Sequence, residues 1–419
     1  MEIKTYCHDL ADRALAASRR LVSAPGKQRD AALLAIADRL LANAADIKDA
    51  NAKDLLAGKE AGLSAAMLDR LKLDDKTIAK IADSVRQIAA QTDPIGSIIE
   101  GKVLPNDIRL SKVRVPIGVI LIIFESRPNV TSDAAALCIK SGNATILRGG
   151  KEAMHSNAAI ARCVREGLKQ AGLEADAVQL VETTDRAAVG ELLKLEGKID
   201  LCIPRGGESL IRAVVEQARI PVIKHYTGNC HIYVHGDADA QQAIDICVNA
   251  KTQRPGVCNA VETILFHKDA VASGLVAKVC KALADKGVEV RGDAAVCKAF
   301  ADATQAIDSD WDAEFLDLIC AVGVVDSIDA AIAHINKHGS HHTDAILTQS
   351  ITAADRFVQQ VDSGNVFVNC STRFSDGGEY GLGAEIGIST DKLHARGPMG
   401  AADLTTYKWV ARGEGQVRG

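Results

Sequence analysis

The hydrophobic pattern of the first 91 residues is helical. Apolar residues recur at three- and four-residue spacing in RDAALLAIADRLLANAADI and again in TIAKIADSVRQIAAQ, the pattern of helices with one buried face. Asp93 and Pro94 end it, because the residue before a proline avoids helical dihedral angles. Residues 97–118 then alternate apolar and polar positions around a Pro-Asn-Asp turn. This predicts a β-hairpin that must pair with another part of the chain or with another subunit.

Two series of short apolar runs, separated by helical stretches, make up most of the remaining chain. In the first, from 117 to about 226, the predicted strands are GVILIIF, ATILR, VQLVE and DLCIP. In the second, from 227 to about 368, they are HIYVHG, ETILFH, VEVRG, DAILT and NVFVN. Buried strands that alternate with helices predict two doubly wound α/β domains. Residues 369–419 are glycine-rich and less periodic, and we expect them to form an arm for subunit contact.

Length and charge narrow the classes of function. A chain of 419 residues predicts two or three domains, and a net charge of -5 gives no reason to expect nucleic acid or an anionic membrane as partner. No apolar run reaches the roughly 18–20 residues of a membrane-spanning helix. The N-terminal residues lack the apolar core and the cleavage site of a signal peptide. We therefore expect a cytoplasmic enzyme.

The eleven cysteines are scattered singly, with no C-x-x-C pair, and in a reducing compartment they are expected to be thiols. Cys258 differs from the others in its surroundings, NAKTQRPGVCNAVETILFH. A helix is expected to end near Gln253, Pro255 and Gly256 force a turn, and a strand begins soon after. A thiol in such a turn is exposed enough to attack a substrate, and Arg254 or backbone N–H groups would lower its pKa. The alternative is a passive buried cysteine.

A second candidate lies in FESRPNVTSDAAAL, where a strand runs through a loop into a helix. The side-chain amide of Asn129 could donate a hydrogen bond to a developing oxyanion. The alternative is that Asn129 or Thr131 caps the helix N-terminus. The sequence leaves both roles open.

Two glycine turns, ILRGGKEA and IPRGGESL, follow predicted strands and precede helices. Such turns present backbone N–H groups to a phosphate, and Arg148, Lys151 and Arg205 add positive charge. Each turn alone could be a tight connection without a ligand. Two of them at strand ends of one sheet favour ligand binding, because open α/β sheets bind at the carboxyl ends of their strands.

Other signals predict no site. GLGAEIG (381–387) has the wrong spacing for a dinucleotide fingerprint and no preceding strand, so we expect a loop, and no Walker A sequence occurs. His338, His341 and His342 suggest zinc, but no cluster of partner ligands accompanies them. We expect these histidines to make structural or substrate-side hydrogen bonds, and we expect no metal.

Eight segments spread over nearly the whole chain carry a further signal. They are GLSAAMLDRL, RPNVT, GNATILRGGKE, IPRGG, NAKTQRPGVCNAVET, VDSIDAAIAHINKHGSHHTDAI, DSGNVFVNCSTRFSDGG and GLGAEIGISTDKLHARGPMG. Together they resemble the aldehyde dehydrogenase superfamily. The resemblance implies that Cys258 is the nucleophile, and it implies a fold with a small β-rich oligomerisation lobe beside two α/β domains. The expected parts are an NADPH-binding domain (1–96 and 116–226), a catalytic domain (227–368) and the lobe (97–115 and 369–419).

The same resemblance assigns residues to the cofactor. It places Arg148, Gly149, Gly150 and Lys151 at the adenosine ribose, where an arginine and a lysine favour NADPH over NADH. It places Pro204, Arg205, Gly206 and Gly207 at the pyrophosphate, and Glu314 at the nicotinamide ribose.

One departure from the family bears on the reaction. Members that hydrolyse a thioester carry a glutamate base in an E-L-G-G-K-like segment, whereas the corresponding stretch here, IKHYTGNCHIYV (223–234), contains no acid. A thioester that is made from an acyl phosphate, or cleaved by phosphate, needs no water-activating base. The absence of this base agrees with acyl phosphate chemistry, and the resemblance implies that the substrate is L-glutamyl 5-phosphate, with Arg254 receiving the phosphate. Ser371, Thr372 and Arg373 are expected at the α-carboxylate.

Three alternatives remain at this stage. A hydrolytic dehydrogenase of a small amino-aldehyde would need the missing carboxylate. A cysteine acyltransferase or amidase would use Cys258 without a nicotinamide, and the paired glycine turns disfavour it. A non-enzymatic amino-acid-binding protein is the third. For an acyl-phosphate reductase we expect a homo-oligomer and a transient complex with the kinase that makes the unstable substrate, glutamate 5-kinase.

Overall fold

The computed structural model describes residues 2–418, except for the side chain of Ala66. The α-helices of this part of the chain are α1 (Ile3–Leu21), α2 (Gly26–Ala42), α3 (Ala44–Glu60), α4 (Ala65–Leu71), α5 (Asp75–Ala90), α6 (Asn129–Lys140), α7 (Met154–Gln170), α8 (Ala187–Leu192), α9 (Glu208–Gln217), α10 (Ala240–Thr252), α11 (Asp269–Ala272), α12 (Leu275–Ala284), α13 (Ala294–Ala299), α14 (Ile328–His338) and α15 (Ile351–Gln360). The predicted helical region at the N-terminus is thus five helices.

The strands follow the predicted apolar runs closely. They are β1 (Ile98–Val103), β2 (Arg109–Pro116), β3 (Val119–Phe124), β4 (Ala144–Gly149), β5 (Val178–Leu180), β6 (Leu201–Arg205), β7 (Cys230–Val234), β8 (Val261–His267), β9 (Glu289–Gly292), β10 (Thr304–Gln305), β11 (Ile319–Val325), β12 (Thr343–Leu347), β13 (Asn365–Val368), β14 (Ile388–Ser389), β15 (Gly397–Pro398) and β16 (Thr405–Arg412). The sequence analysis missed β10, β11, β14, β15 and β16. Of these, β11 has an apolar run, ICAVGVV, with the length of a buried strand.

The chain divides into two compact units. The first comprises 1–224, 381–387 and 399–419, and the second comprises 225–380 and 388–398. The segment 369–380, which we grouped with the C-terminal arm, therefore packs in the second unit. GLGAEIG lies outside helices and strands, as predicted.

The first unit is built on a four-stranded parallel sheet of order β5-β4-β3-β6. All six residues of β3 are buried, because helices cover both faces of a parallel sheet. Two of these helices, α6 and α7, contact strands of the sheet, and α2 packs against α5 and α7. The glycine turns after β4 and β6 therefore lie at the carboxyl edge of this sheet, on either side of β3.

The predicted hairpin is present and finds its partner within the chain. β1 and β2 pair antiparallel, and β16 adds antiparallel to β2 along its whole length, from Thr405 opposite Pro116 to Arg412 opposite Arg109. The three strands form a separate sheet in the first unit, and the residues of β1 are all exposed.

The second unit contains a seven-stranded parallel sheet of order β10-β9-β11-β8-β7-β12-β13. Its central strands β8, β7 and β12 are neighbours, so the segments that lead into them meet at the amino edge of the sheet. Over residues 2–418 no helix has the length and apolarity needed to cross a bilayer.

Candidate active site

Cys258 lies in an irregular loop between α10 and β8, as the sequence predicts. The helix begins after Asp239, whose carboxylate accepts from the N–H of Gln242 at 2.9 Å, and it ends at Thr252. Of the eleven cysteines, all free thiols, eight are buried, and Cys258 is one of three that are partly exposed. Its thiol is therefore accessible, whereas most of the others are packed as small apolar side chains.

A buried ion pair closes the loop that carries Cys258. Lys251 in the last turn of α10 and Glu262 at the start of β8 lie 2.5 Å apart, and both side chains are 0% exposed. Burial raises the pKa of the Glu262 carboxyl to about 7, against the opposing effect of Lys251. Since the two residues flank the loop on either side, the pair holds its two ends together.

The backbone of Cys258 is held from a second direction by the segment that leads into β7. A Cβ at position 228 would lie 2.0 Å from the carbonyl oxygen of Cys258, so only glycine fits there. Two residues on, Cys230 Sγ donates to the same carbonyl oxygen at 3.1 Å. Burial raises the pKa of Cys230 well above its ordinary value, so it remains a thiol donor.

Two histidines that the sequence analysis did not assign to the site lie beside the Cys258 thiol. One ring nitrogen of His225, one of His342 and Cys258 Sγ all lie within 4.8 Å of one another. The two imidazole rings are 5.2 Å apart, centroid to centroid, at an interplanar angle of 70°. His225 and His342 precede β7 and β12, so the strand order brings them to Cys258. The sequence contained no local signal for this contact, because it depends on the order of the strands in the sheet, which a single sequence does not reveal.

The three histidines of KHGSHH have separate partners. His338 Nδ1 lies 2.8 Å from an Asp312 carboxylate oxygen, and His341 Nδ1 lies 2.6 Å from the carbonyl oxygen of Asp362. Only His342 of these three belongs to the cluster around Cys258.

Basic side chains lie near the thiol as well. Arg254 is exposed in the same loop. Arg373 is half-buried and donates through Nε to Gln253 Oε1 at 2.9 Å, and burial lowers the pKa of its guanidinium. Arg373 also interacts electrostatically with Arg254 and Cys258. Arg373 therefore interacts with both the thiol and the second predicted arginine, Arg254, within the second unit.

The other two predicted carboxylate ligands are less accessible. Ser371 is 4% exposed and its Oγ accepts from the N–H of Arg373 at 3.3 Å. Thr372 is fully buried. Glu314 is partly exposed in the stretch before β11, and its charge opposes ionisation of Glu262. The roles of these residues stay predictions.

Asn129 is the first residue of α6, in the first unit. It does not cap the helix: Pro128 is at the cap position and no side-chain cap hydrogen bond is formed, while Thr131 Oγ1 donates to Asn157 Oδ1 at 3.0 Å. The capping alternative is therefore wrong for both residues. Instead Asn129 Nδ2 donates to Asp133 Oδ2 at 2.9 Å, which uses one of its two N–H groups. Burial raises the pKa of the Asp133 carboxyl to about 6.

The two glycine turns of the first unit have features that suit an anionic ligand. Arg148 Nε is buried without a hydrogen-bond partner among the described residues, and the Lys151 side chain is exposed. At position 207 a Cβ would meet no atom within 4 Å in the described chain. These donors and this open space fit the phosphates and ribose of a dinucleotide.

Two details refine the predicted contacts of the second turn. Pro204 is buried within β6 and has no N–H to donate, so the backbone N–H donors at the end of this strand are those of residues 205–207. The N–H of Gly207 donates to Glu125 Oε2 at 3.0 Å. The backbone donor at Gly207 is therefore already paired with a carboxylate in this structure.

Comparison with known proteins identifies the family of this chain. Residues 4–296 match the model of the aldehyde dehydrogenase family. Gamma-glutamyl phosphate reductase of Thermotoga maritima is 42% identical with a TM-score of 0.96, covering 99% of this chain and 100% of that one. The corresponding Saccharomyces cerevisiae protein is 34% identical with a TM-score of 0.54, covering 98% of each chain.

A more distant structure agrees in fold. Glyceraldehyde-3-phosphate dehydrogenase of Methanocaldococcus jannaschii, solved in complex with NADP, is 15% identical with a TM-score of 0.69, covering 98% of this chain and 95% of that one. The α/β architecture predicted from the sequence is confirmed, and the chain belongs to the aldehyde dehydrogenase family.

Proposed function

We propose that the chain is an NADPH-dependent reductase that converts L-glutamyl 5-phosphate to L-glutamate 5-semialdehyde and phosphate, the second step of proline biosynthesis from glutamate. The observation that carries the proposal is an accessible thiol, Cys258, held in a braced turn. It is found in a chain 42% identical, over its full length, to gamma-glutamyl phosphate reductase of Thermotoga maritima.

The first chemical step is acyl transfer to sulfur. The Cys258 thiolate attacks the γ-acyl carbon and a C–S bond forms. The oxyanion accepts from the backbone N–H of Cys258 and from the amide of Asn129, which has a second N–H beyond the one donated to Asp133. The C–O bond to phosphate then breaks, phosphate leaves with the electron pair, and a thioester remains on Cys258.

The basic residues near the thiol have the charge that this substrate requires. The exposed Arg254 receives the departing phosphate. Arg373 binds the α-carboxylate, for which a planar guanidinium is well suited, and Ser371 and Thr372 support its position. Arg373 is half-buried, so its interaction with a carboxylate is screened less than at the surface.

The cofactor is proposed to bind the turns of the first unit. Arg148 and Lys151 bind the 2′-phosphate of NADPH, supported by the backbone of Gly149 and Gly150. The pyrophosphate contacts the residues at the end of the strand that contains Pro204, namely Arg205, Gly206 and Gly207. Glu314 holds the nicotinamide ribose. When bound, NADPH supplies the hydride that reduces the thioester. The C–S bond then breaks, the aldehyde is released and Cys258 returns as thiolate.

Assembly and location complete the proposal. The exposed strand β1 carries Ile98, Ile99 and Val103, and the strand at the other edge of the same sheet, β16, exposes Tyr407 and Trp409. Apolar residues on the exposed edge strands of a sheet are typical of a contact between subunits. We therefore expect a homo-oligomer formed through this lobe, working in the cytoplasm and in transient contact with glutamate 5-kinase.

The test is the reverse reaction, followed as NADPH formation from L-glutamate 5-semialdehyde and NADP⁺. We expect a rate that requires phosphate and that is lost in Cys258→Ala but kept in Cys297→Ala, which removes another partly exposed thiol. A rate independent of phosphate would mean that water resolves the thioester, as in a hydrolytic aldehyde dehydrogenase, and would overturn the proposal.

A further inference from the structure

The cluster of His225, Cys258 and His342 has a property that the proposed reaction does not use. Acyl transfer needs one nucleophile, yet two imidazole nitrogens converge on the Cys258 sulfur, with all three atoms within 4.8 Å of one another. All three side chains come from segments that lead into neighbouring strands β8, β7 and β12 of one sheet. The order of these strands therefore brings the three side chains together.

The hydrogen bonds of His225 fix which nitrogen carries the proton. His225 Nδ1 lies 2.7 Å from the carbonyl oxygen of Ile388. A carbonyl oxygen only accepts, so Nδ1 is the protonated nitrogen and the neutral ring has its lone pair on Nε2.

The same reasoning applies to His342. Its Nδ1 lies 2.9 Å from Thr343 Oγ1, and the hydroxyl hydrogen of Thr343 is donated to Ser375 Oγ at 2.9 Å. Nδ1 therefore donates to Thr343, and Nε2 has the lone pair. Cys230 Sγ lies 3.7 Å from the same Nδ1, but its hydrogen goes to the carbonyl oxygen of Cys258.

Two imidazole nitrogens and one thiolate are a donor set that zinc binds. Metal-bound histidines almost always donate their other N–H to an oxygen, as both rings do here. Zinc takes sulfur at about 2.3 Å and nitrogen at about 2.0–2.1 Å, which places neighbouring ligand atoms about 3.3–3.7 Å apart in a tetrahedron. The cluster must contract by about 1 Å, and His225 lies in an irregular segment before β7 where a small shift disturbs no helix or strand.

We propose that Cys258, His225 and His342 form a Zn²⁺ site that captures the nucleophile and holds the enzyme inactive. The metal replaces the hydrogen of the Cys258 thiol, which is released as a proton to the solvent. A bond between Zn²⁺ and the thiolate forms, no electron is transferred, and a fourth position remains for water. Mg²⁺ and Ca²⁺, which take oxygen ligands, do not bind there. The metal site stands by itself, whereas the inhibition rests on the proposed role of Cys258.

Metal binding is measured directly on the metal-free enzyme. Zn²⁺ is titrated in competition with a chromophoric chelator, and Co²⁺ is titrated to observe the absorption band of a sulfur–cobalt bond. We expect one metal per chain, an affinity at least about 100-fold weaker in Cys258→Ser and at least about tenfold weaker in His225→Asn, since loss of a supporting hydrogen bond alone costs 10–100-fold. His342→Gln, with a circular dichroism spectrum to confirm folding, should weaken binding similarly.

Two variants serve as matched controls. His235→Asn changes a histidine at the opposite end of β7, bonded to Asp237 at 2.8 Å, and Cys297→Ser changes a partly exposed thiol elsewhere; both should bind Zn²⁺ as the wild type does. Equal affinity in Cys258→Ser and His225→Asn, or a cobalt complex without the sulfur band, would overturn the site.

Enzyme assays separate the two claims. Zn²⁺ at a concentration that fills the site should abolish activity and protect Cys258 from alkylation by iodoacetamide, and a chelator should restore both. Stoichiometric binding that requires all three residues but leaves activity intact would uphold the metal site and contradict the catalytic role of Cys258.

Discussion

The two units of this chain use opposite edges of their parallel sheets. In the first, the candidate cofactor residues follow β4 and β6, at the carboxyl edge. In the second, Cys258, His225 and His342 precede β8, β7 and β12, at the amino edge. Ligand binding at carboxyl edges is a general property of open α/β sheets. The comparison shows that this general rule located the first set of residues from sequence, whereas no such rule applies to the second.

The first way to break the comparison is to remove the nucleophile from the second unit. Cys258→Ala should lower kcat by at least about 10⁴-fold, the scale seen when a covalent nucleophile is removed. Binding of NADPH, measured by quenching of protein fluorescence or by calorimetry, should be unchanged, because the Cys258 thiol is not among the proposed cofactor residues and all of these except Glu314 lie in the first unit. Lost NADPH binding in a folded variant would contradict the assignment of separate roles.

The buried pair that braces the Cys258 loop predicts a large effect on stability. Lys251→Met leaves the Glu262 carboxyl without its partner and should lower the free energy of unfolding by about 3–5 kcal/mol. Glu262 has a pKa raised to about 7, so its neutral form is favoured in the folded state. Its contribution to stability is therefore present at low pH and is lost as pH rises through 7.

Urea denaturation at pH 6 and pH 8 checks this. The loss in Lys251→Met should be greater at pH 8, and the double variant Lys251→Met with Glu262→Gln should recover most of it because no buried charge remains. A loss that is the same at both pH values would show that the pH-dependent group is not Glu262.

Two glycines sharpen the comparison further. Gly228→Ala would place a Cβ 2.0 Å from the Cys258 carbonyl oxygen, so the loop must move, and stability should fall by about 1–3 kcal/mol with a loss in kcat. Gly207→Ala meets no atom within 4 Å in the described chain. It should leave thermal stability unchanged and raise the KM for NADPH, because the methyl group takes space proposed for the pyrophosphate. Equal loss of stability in both variants would contradict this reading.

The smallest effect is expected for cofactor selectivity. Lys151→Ala removes one proposed charge partner of the 2′-phosphate and should raise the KM for NADPH about tenfold, with the KM for NADH unchanged. Lys298→Ala, at another surface lysine, is the control. An equal change in the KM values for NADPH and NADH would show that Lys151 does not bind the 2′-phosphate.

Local pattern was sufficient for much of the fold. The hairpin, the first sheet and the five N-terminal helices follow from alternation and helical spacing, and the turn at Pro255 and Gly256 follows from backbone chemistry. β11 was missed because its continuous apolar run has neither the alternation of a half-buried strand nor the spacing of a helix. The third strand of the lobe, β16, pairs with β2 almost 300 residues earlier, and no local signal announces such a partner.

The site divides in the same way. Cys258 could be predicted because its turn is local, and the capping role of Asn129 was a reasonable but wrong alternative because the choice between Asp133 and the helix backbone depends on side-chain rotation. His225, His342 and Cys230 could not be placed, since their approach to Cys258 depends on the order of β8, β7 and β12. Strand order is a property of the assembled sheet, and one sequence does not contain it in readable form.

The central claim is that the thioester on Cys258 is made from an acyl phosphate and, in the reverse reaction, is cleaved by phosphate. The most direct measurement incubates the enzyme with L-glutamate 5-semialdehyde and NADP⁺ without phosphate, then examines the Cys258 peptide by mass spectrometry. The account predicts one NADPH per chain, a glutamyl group on Cys258 that persists, and its release when phosphate is added. Continued turnover without phosphate, or an acyl group absent from Cys258, would contradict it.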